Sequence, residues 1–434
     1  MSNRSGDASG ESRDAFLVRS AFQARRPLLC APSPFYVGAF CMFDPAHPTR
    51  FMTRALVLAR RGLGAVWPNP PVGAVLERDG VVIAEGYHRR AGESHAEVHA
   101  LRAAGDAARG ATLHVTLEPC HHHGRTPPCT GAILAAGVKR VIIARRDPNL
   151  ASGSGAEALR ESGVEVDFGP GARPAAHLLA GFALRILLGR PRFVLKVAVS
   201  LDGRIAALGG DSRWISSPAA RAWAHRRRRE ADAVLVGAGT AIADNPALTT
   251  RHVTGRSPDR IVVDSRLRVS PRARVYEPNG PARRVITTET ASQDLRAALT
   301  DRGVEVHIVP ADAAGRVDLA AMALVLGGIG YTTVLCEGGG TLAGGLLQAH
   351  LVDQAWVVQS RRVLLGGGGP GWTEGLAVES VARAPRLSRV SERRLGPDTL
   401  LTVIPESAQW WDPETLGAEA PSWTAPRVHE PAGA

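Results

Sequence analysis

Lysine is nearly missing from this chain of 434 residues: only Lys139 and Lys196 occur, against fifty arginines. With abundant Ala and Gly, that skew reads as the codon bias of a GC-rich genome. The net charge of +11 is therefore weak support for a nucleic-acid partner. The run Arg226-Arg227-Arg228-Arg229 reads as a solvated helix face or a small-phosphate site before it reads as a polyanion site. Five cysteines are too few for a disulfide scaffold in a chain of this length. No run reaches the roughly 18 apolar residues of a spanning helix, which excludes an integral helical membrane protein. No short internal repeat is visible, and no Ser-His-Asp set has nucleophile-elbow spacing.

What is present is ordinary for a globular chain: 44% hydrophobic and 21% charged residues. At roughly 150 residues per domain, the length suggests two or three domains. Residues 1–48 are Ser-, Arg- and Pro-rich without sustained periodicity and read as a disordered or mis-assigned extension. Their short apolar patch follows a long polar stretch of mixed charge, which is the wrong order for a secretory signal. Met42 and Met52 lie near the first good helix and are alternative starts to Met1. Residues 406–434, rich in Pro, Ala and Glu, read as a disordered tail, although Trp410 and Trp411 could pack back on the body.

Between these ends, strand and helix patterns alternate. Helical spacing covers 51–61, and strands over 72–76 and 81–84 flank Asp79-Gly80, a strong hairpin dipeptide. Helices follow over 95–104, 128–136 and 157–162, with strands over 112–117, 140–144 and 164–168. A connecting helix over 172–190 closes at Gly189 and Pro191. A second alternation has strands over 193–199, 233–236, 260–263, 284–287, 304–309, 332–336 and 354–359, and helices over 218–230, 319–326 and 341–349. The expectation is an α/β protein of two domains, 49–190 and 191–405, with tails at 1–48 and 406–434.

The first chemical constellation is His95-Ala96-Glu97 with Pro119-Cys120 and, nine residues on, Cys129. One imidazole and two thiolates suit tetrahedral Zn²⁺, and three protein ligands leave a fourth position for water. Zinc would lower the pKa of that water enough to give hydroxide near neutrality. Glu97, two residues beyond His95 at a predicted helix start, can face the water without ligating the metal and shuttle its proton to a departing amine. The order matches the zinc-deaminase pattern H-x-E followed by P-C-x-x-C, except that eight residues separate the cysteines. Two blander readings stand beside it: a buried cysteine pair near a surface histidine, and a structural zinc whose fourth ligand is His121, His122 or His123.

Phe51-Met52, Ala55-Leu56, Pro68-Asn69-Pro70, Val72-Gly73, Glu85-Gly86-Tyr87-His88, His95-Ala96-Glu97 and the stretch from Leu117 to Cys129 occur in that order. The spacer His121-His122-His123-Gly124-Arg125-Thr126-Pro127-Pro128 is the most distinctive. Together they resemble the bifunctional riboflavin-biosynthesis deaminase/reductase family, from about residue 50 to about 404. The resemblance implies a cytidine-deaminase-like N-terminal domain and a dihydrofolate-reductase-like C-terminal domain. It implies zinc on His95, Cys120 and Cys129, Glu97 as the catalytic proton shuttle, and substrate contacts from Asn69, His88, His122 and Arg125. Asn69 can donate to and accept from a pyrimidine edge, and Arg125 suits a phosphate. The bland alternatives are a turn-forming Asn and a solvent-facing Arg. Two departures bear on the pocket: His121 stands where the family commonly has Ser, and Asp147-Pro148-Asn149-Leu150 where it commonly has Asp-Pro-Asn-Pro.

The second constellation runs from Lys196 through Ser200-Leu201-Asp202-Gly203-Arg204, Ser212-Arg213-Trp214, Gly237-Ala238-Gly239-Thr240 and Asp244-Asn245-Pro246 to Glu337-Gly338-Gly339-Gly340-Thr341. A glycine run between a strand and a helix lets a phosphate approach backbone N–H groups. The match of Gly338, Gly340 and Ala343 to G-x-G-x-x-A is weak, because no acidic residue follows at the proper distance, and tight turns explain the run equally well. The resemblance implies an NADPH-dependent reduction of a ribosyl group to ribityl. It places Ala198, Trp214, Thr240, Asp244, Ser265, Gly339, Gly340, Thr341, Leu342, Ala343, Gly344 and Gly345 at the cofactor, and Ser212, Arg228, Leu248, Arg251 and Glu337 at the substrate. Arg228 and Arg251 suit a phosphate. Lys196 could protonate the sugar C1 centre as a catalytic residue; a surface lysine is the bland alternative. Trp214 offers a ring face, although Trp more often simply packs. Cys336, in a predicted strand, reads as core.

The expectation is thus a cytoplasmic, homo-oligomeric enzyme acting on a small phosphorylated pyrimidine, with no nucleic-acid or membrane partner. Its rivals are a chain with deaminase activity alone, a nucleic-acid base deaminase with a basic C-terminal half, and a scaffold with a structural zinc.

Overall fold

A computed structural model describes residues 49–122, 127–149, 151–152, 154–251 and 253–411. The expectations for 1–48, for Arg125 and for 412–434 lie outside the described residues.

The first sheet is built from residues that alternate with helices, as the pattern predicts. Helix α1 (Arg50–Ala59) is capped by the Thr49 hydroxyl, which accepts from the Met52 amide, and it buries Met52, Ala55 and Leu56. Strands β1 (Gly73–Arg78) and β2 (Val81–Tyr87) form the hairpin around Asp79-Gly80, both with positive φ. Then come α2 (Ala96–Ala104), β3 (Thr112–Val115), α3 (Cys129–Ala135), β4 (Arg140–Ile143), α4 (Gly155–Glu161) and β5 (Glu165–Phe168). The sheet order is β2-β1-β3-β4-β5. The β1 pairings are antiparallel, and β3, β4 and β5 run parallel. Helix α5 (Ala172–Leu188) follows and ends at Gly189 in the left-handed conformation that glycine favours.

The second sheet starts with β6 (Arg192–Val199), and α6 (Pro218–Glu230) follows with proline at its first position and Ser217 as cap. The chain continues through β7 (Ala233–Gly237), α7 (Ala238–Asp244), β8 (Asp259–Val263), β9 (Arg283–Thr287), α8 (Gln293–Asp301), β10 (Glu305–Ile308), α9 (Leu319–Ile329), β11 (Thr333–Cys336), α10 (Gly340–Gln348) and β12 (Val352–Gln359). It closes with the hairpin β13 (Leu387–Leu395) and β14 (Asp398–Pro405). The order is β10-β9-β8-β7-β11-β6-β12-β14-β13, parallel from β10 to β12 and antiparallel in the last three strands. Phe193, Leu195, Val197 and Val199 of β6 face one core, while Val194, between Arg192 and Lys196 on the opposite side, faces the other.

Helix α8 is absent from the sequence expectation, and three further differences have physical causes. The β13–β14 hairpin was not anticipated, because β13 carries Ser391, Glu392, Arg393 and Arg394 and is interrupted by a register shift between Arg389 and Ser391. Helix α7 was hidden in a Gly-Ala-Gly run that reads as a turn. Residues Glu406–Trp411, expected in the tail, form a short 3-10 helical segment: the Glu406 amide donates to Arg386 and Ala408 is buried. Among the described residues, no helix is long and apolar enough to cross a membrane.

Candidate active sites

The metal-binding residues meet because two helix starts and one strand end converge. His95 is the residue capping α2 in extended conformation, and Glu97 lies in the first turn behind it. Gly86 allows this helix to seat closely on β2; a Cβ there would lie 2.2 Å from the Ala96 carbonyl oxygen. Beyond β3, the buried Glu118 carboxylate accepts from the amides of Asp147 at 3.3 Å and Ala156 at 3.0 Å, which fixes the turn carrying Cys120. Cys129 opens α3, and its amide donates to Cys120 Sγ at 3.4 Å.

The resulting cluster fits a zinc ion. His95 Nδ1 lies 3.1 Å from Cys129 Sγ and 3.5 Å from Cys120 Sγ, and the three ligand atoms lie within 4.8 Å of one another. Tetrahedral zinc with bonds of about 2.0–2.3 Å sets its ligands roughly 3.5 Å apart. Hydrogen bonding from the Cys129 side chain, with help from His95 and the Cys129 amide, holds the Cys120 thiol down at about 4. Glu97 is buried and its Oε2 atom has no hydrogen-bond partner. Burial raises its pKa. An unsatisfied buried carboxylate oxygen beside a ligand cluster fits a group that works on something bound there.

A cavity of about 330 Å³ opens on this cluster. Asn69, His88, His95, Glu97, Cys120 and His122, all expected from the sequence, line it together. His88 is buried, and its Nδ1 donates to the Ser94 carbonyl at 3.1 Å. Its Nε2 is then the acceptor and takes a hydrogen bond from Asn69 Nδ2 at 3.1 Å. Burial lowers the pKa of His88, which favours this neutral form. The contact leaves Oδ1 as the acceptor end of the Asn69 amide.

Asp147 and Phe182 are among the lining residues that the sequence does not mark as ligands. Asp147, whose carboxyl burial pushes up to about 6, belongs to the Asp147-Pro148-Asn149-Leu150 stretch. Phe182 reaches the cavity from α5, and no local pattern marks it.

The second constellation gathers at the C-terminal ends of parallel strands, where open α/β sheets bind ligands. Lys196 projects from β6 on the face opposite Leu195 and Val197. Glu337 directly follows β11, and Arg228 reaches it from α6 with two hydrogen bonds of 2.8 and 2.6 Å. Burial disfavours charge on Glu337, yet Arg228, and behind it Lys196, hold its carboxyl at about 2. Burial lowers the pKa of Lys196, partly offset by Glu337. The sequence-expected ligands Arg228 and Glu337 are therefore each other's partner, and Arg228 also donates to the Thr249 carbonyl at 3.2 Å. Arg251, whose amide donates to His225, is a second cation here; burial, then Arg228, lowers its pKa.

The other expected residues surround this triad less tightly. Thr240 follows β7, Ser265 follows β8, and 339–345 follow β11, all at the same end of the sheet. Trp214 is 66% exposed, with the Arg221 guanidinium 4.2 Å from its ring centroid, so it is not simply packed. Asp244 accepts from Arg213 through its backbone carbonyl, Leu248 holds a positive φ, and the Ile215 amide donates to the Ser212 carbonyl. Ala198 packs beside the small core under α6. The Ser265 hydroxyl accepts from the Val317 amide at 3.0 Å. Within 339–345, Ala343 is core, and Gly340 and Gly344 are explained by protein contact: a Cβ would lie 2.2 Å from the Gly371 carbonyl oxygen and 2.4 Å from that of Glu374. Cys336 is buried in β11, as expected of a core residue.

A zinc-ligand cluster beside a buried glutamate with one unsatisfied carboxylate oxygen, joined to a mostly parallel sheet with a charged triad, defines a zinc-dependent deaminase fused to a reductase. Comparison with known proteins agrees. The family model for the cytidine and deoxycytidylate deaminase zinc-binding region matches residues 46–145, and that for the RibD C-terminal domain matches 191–401. The riboflavin biosynthesis protein RibD of Escherichia coli is 41% identical over 368 residues, covering 82% of this chain and 98% of that protein. Its counterpart in Aquifex aeolicus is 40% identical, covering 81% and 96%. The crystal structure of a diaminohydroxyphosphoribosylaminopyrimidine deaminase/5-amino-6-(5-phosphoribosylamino)uracil reductase from Thermotoga maritima superimposes with a TM-score of 0.72 at 37% identity, covering 82% and 97%. The chain belongs to the RibD family. It is a bifunctional deaminase and reductase of riboflavin biosynthesis, with a cytidine-deaminase-like domain that uses zinc and a dihydrofolate-reductase-like domain that uses NADPH.

Proposed function

We propose that the cavity at His95, Cys120 and Cys129 deaminates 2,5-diamino-6-(5-phosphoribosylamino)pyrimidin-4(3H)-one, and that the Lys196 side of the second sheet receives the product and reduces its ribosyl group to ribityl. The observation that carries the first half is the unpartnered Oε2 of Glu97 beside the ligand cluster. Zinc on that cluster supplies Lewis acidity that activates water at neutral pH. Glu97 takes a proton from the water and passes it to the departing amine, so a C–O bond forms, the C–N bond breaks and ammonia leaves. The Asn69 amide, set by His88, reads the pyrimidine edge, and Arg125 is assigned the phosphate.

In the second half, NADPH supplies the hydride. Lys196, beside the Arg228–Glu337 pair, is assigned the proton that accompanies hydride delivery to the sugar C1 centre. Arg251 is assigned the product's phosphate, and Arg228 its orientation, since Arg228 is already held by Glu337. The reading extends to a cytoplasmic homo-oligomer without nucleic-acid or membrane partners.

Mass spectrometry of the purified protein with the diaminopyrimidine tests both halves. Exchange of amine for oxygen is expected without NADPH, and two added hydrogens when NADPH is present. Deamination without reduction leaves the second half of the proposal wrong; no change with zinc fully loaded overturns the substrate assignment.

A further inference from the structure

The deaminase cavity is bounded on two sides by residues that rest on the second sheet. In Val66-Trp67-Pro68-Asn69-Pro70, Asn69 lies between two prolines whose φ is fixed by their rings. The turn closes on itself, the Asn69 amide donating to the Val66 carbonyl at 2.9 Å. Such a turn is stiff within itself, so its placement depends on where it is anchored. Trp67 supplies that anchor and packs against the second core, with its ring centroid 4.9 Å from that of Tyr331.

Tyr331 is fully buried, and its hydroxyl donates to Asp259 Oδ2 at 2.6 Å. Arg284 donates to the same carboxylate at 2.7 Å, to the Tyr331 hydroxyl, and to Glu305 at 2.9 Å. The ring under Trp67 is thus tied to β8, β9 and β10. Gly330, at φ +111°, lets the turn come close: a Cβ there would lie 3.3 Å from Pro68 Cβ.

The other wall repeats the arrangement. Phe182 lines the cavity, and Gly181 beside it sits where a Cβ would meet the Thr332 carbonyl oxygen at 2.4 Å and Thr333 Oγ1 at 2.5 Å. Asp232 Oδ2 holds that segment by accepting from the Thr332 amide and hydroxyl and from the Thr333 amide.

We infer that residues 330–333 of the reductase half brace the deaminase cavity, and that Trp67 is a positioning residue which sets Asn69 against the pyrimidine through its contact with Tyr331. The inference rests on the reading of the cavity as the diaminopyrimidine site. Trp67 touches no reacting atom; it acts through the turn.

The test uses the full chain. Trp67→Ala is expected to raise KM for the diaminopyrimidine by about tenfold to a hundredfold, the effect of a misplaced positioning group. Deaminase kcat, zinc content and reduction of the deaminated product should stay near wild type. Trp67→Phe, which keeps a ring on Tyr331, should restore KM, and Tyr331→Leu, placed in the other half, should raise deaminase KM in the same way. Hydrogen exchange of the amides at 66–72 gives a readout independent of turnover, with faster exchange expected in Trp67→Ala. Unchanged KM and unchanged exchange in Trp67→Ala overturn the inference. So does a parallel loss of zinc, kcat and reductase activity, which marks general destabilisation. Wild-type protein that does not deaminate this pyrimidine refutes the substrate reading instead, and the exchange rates then decide the brace alone.

Discussion

Arg228 and Glu337, 109 positions apart in sequence, form a two-pronged ion pair at 2.8 and 2.6 Å beside Lys196. Both side chains are largely shielded from solvent, at 13% and 10% exposure. A bidentate pair of this kind holds a planar guanidinium in one orientation.

Removing one partner leaves the other charge stranded. Glu337→Gln is expected to destabilise the protein by about 3–5 kcal/mol. The apolar double variant Arg228→Met with Glu337→Leu should recover most of that stability in urea unfolding. It should not recover reductase KM, because the role proposed for the pair there is orientation.

Glu97→Gln is expected to lower deamination by about a hundredfold to ten-thousandfold, the range of a lost proton shuttle. Zinc content by metal analysis should persist, and reduction of the deaminated product should be unaffected. Cys120→Ser, or stripping with a chelator, should remove zinc and deamination together while leaving reduction in place. Deamination at the wild-type rate by the Glu97 variant would falsify the assigned role.

The proposed role of Lys196 implies a pH dependence for reduction. Its pKa is lowered by burial, so its protonated form is lost at a pH below the ordinary lysine value of about 10.4. A lysine acting as proton donor works below its folded pKa and fails above it. The rate of reduction should therefore fall on the alkaline side before an exposed lysine would titrate. Lys196→Arg, whose guanidinium keeps its proton, and Lys196→Met should both lose turnover across the range.

The glycines after β7 and β11 should separate. Gly344→Ala drives a Cβ to 2.4 Å from the Glu374 carbonyl oxygen, a contact that backbone must move to relieve. Overpacking of this kind costs about 1–3 kcal/mol. The shift of 371–374 should also weaken NADPH binding in a fluorescence titration. Gly239→Ala meets nothing within 4 Å and should be neutral in both measurements.

Much of the deaminase site was legible because its chemistry is carried by residue type. His95, Cys120, Cys129 and Glu97 sit at helix starts and a strand end that local patterns mark, and metal-ligand chemistry narrows their role further. The reductase site was legible only as a set of separate segments. That Arg228 spends its guanidinium on Glu337 depends on α6 crossing the end of β11, which no local pattern reports. Gly340 and Gly344 illustrate the opposite limit: a glycine run after a strand reads as room for a phosphate, but both positions are occupied by the backbone of 371–374. Strand β13 was missed because its charged residues suit an edge strand, whose outer face needs no apolar alternation. Phe182 and Trp67 face partners from other elements, and their own neighbours in sequence carry no trace of it.

The order of strands in the second sheet has a consequence for the chain as it is made. The first sheet draws only on residues before 169, so it can close while the ribosome is still translating the rest. Strand β6 is the next to emerge, with one wholly apolar face, and its neighbours are β11 and β12; the Phe193 amide finds its acceptor, Asp353, 160 positions later. During that interval β6 has no lateral partner, which is when a nascent chain is most exposed to misassociation. Tyr331 arrives in the same late window, so the first sheet can close well before the ring that Trp67 packs against has been made.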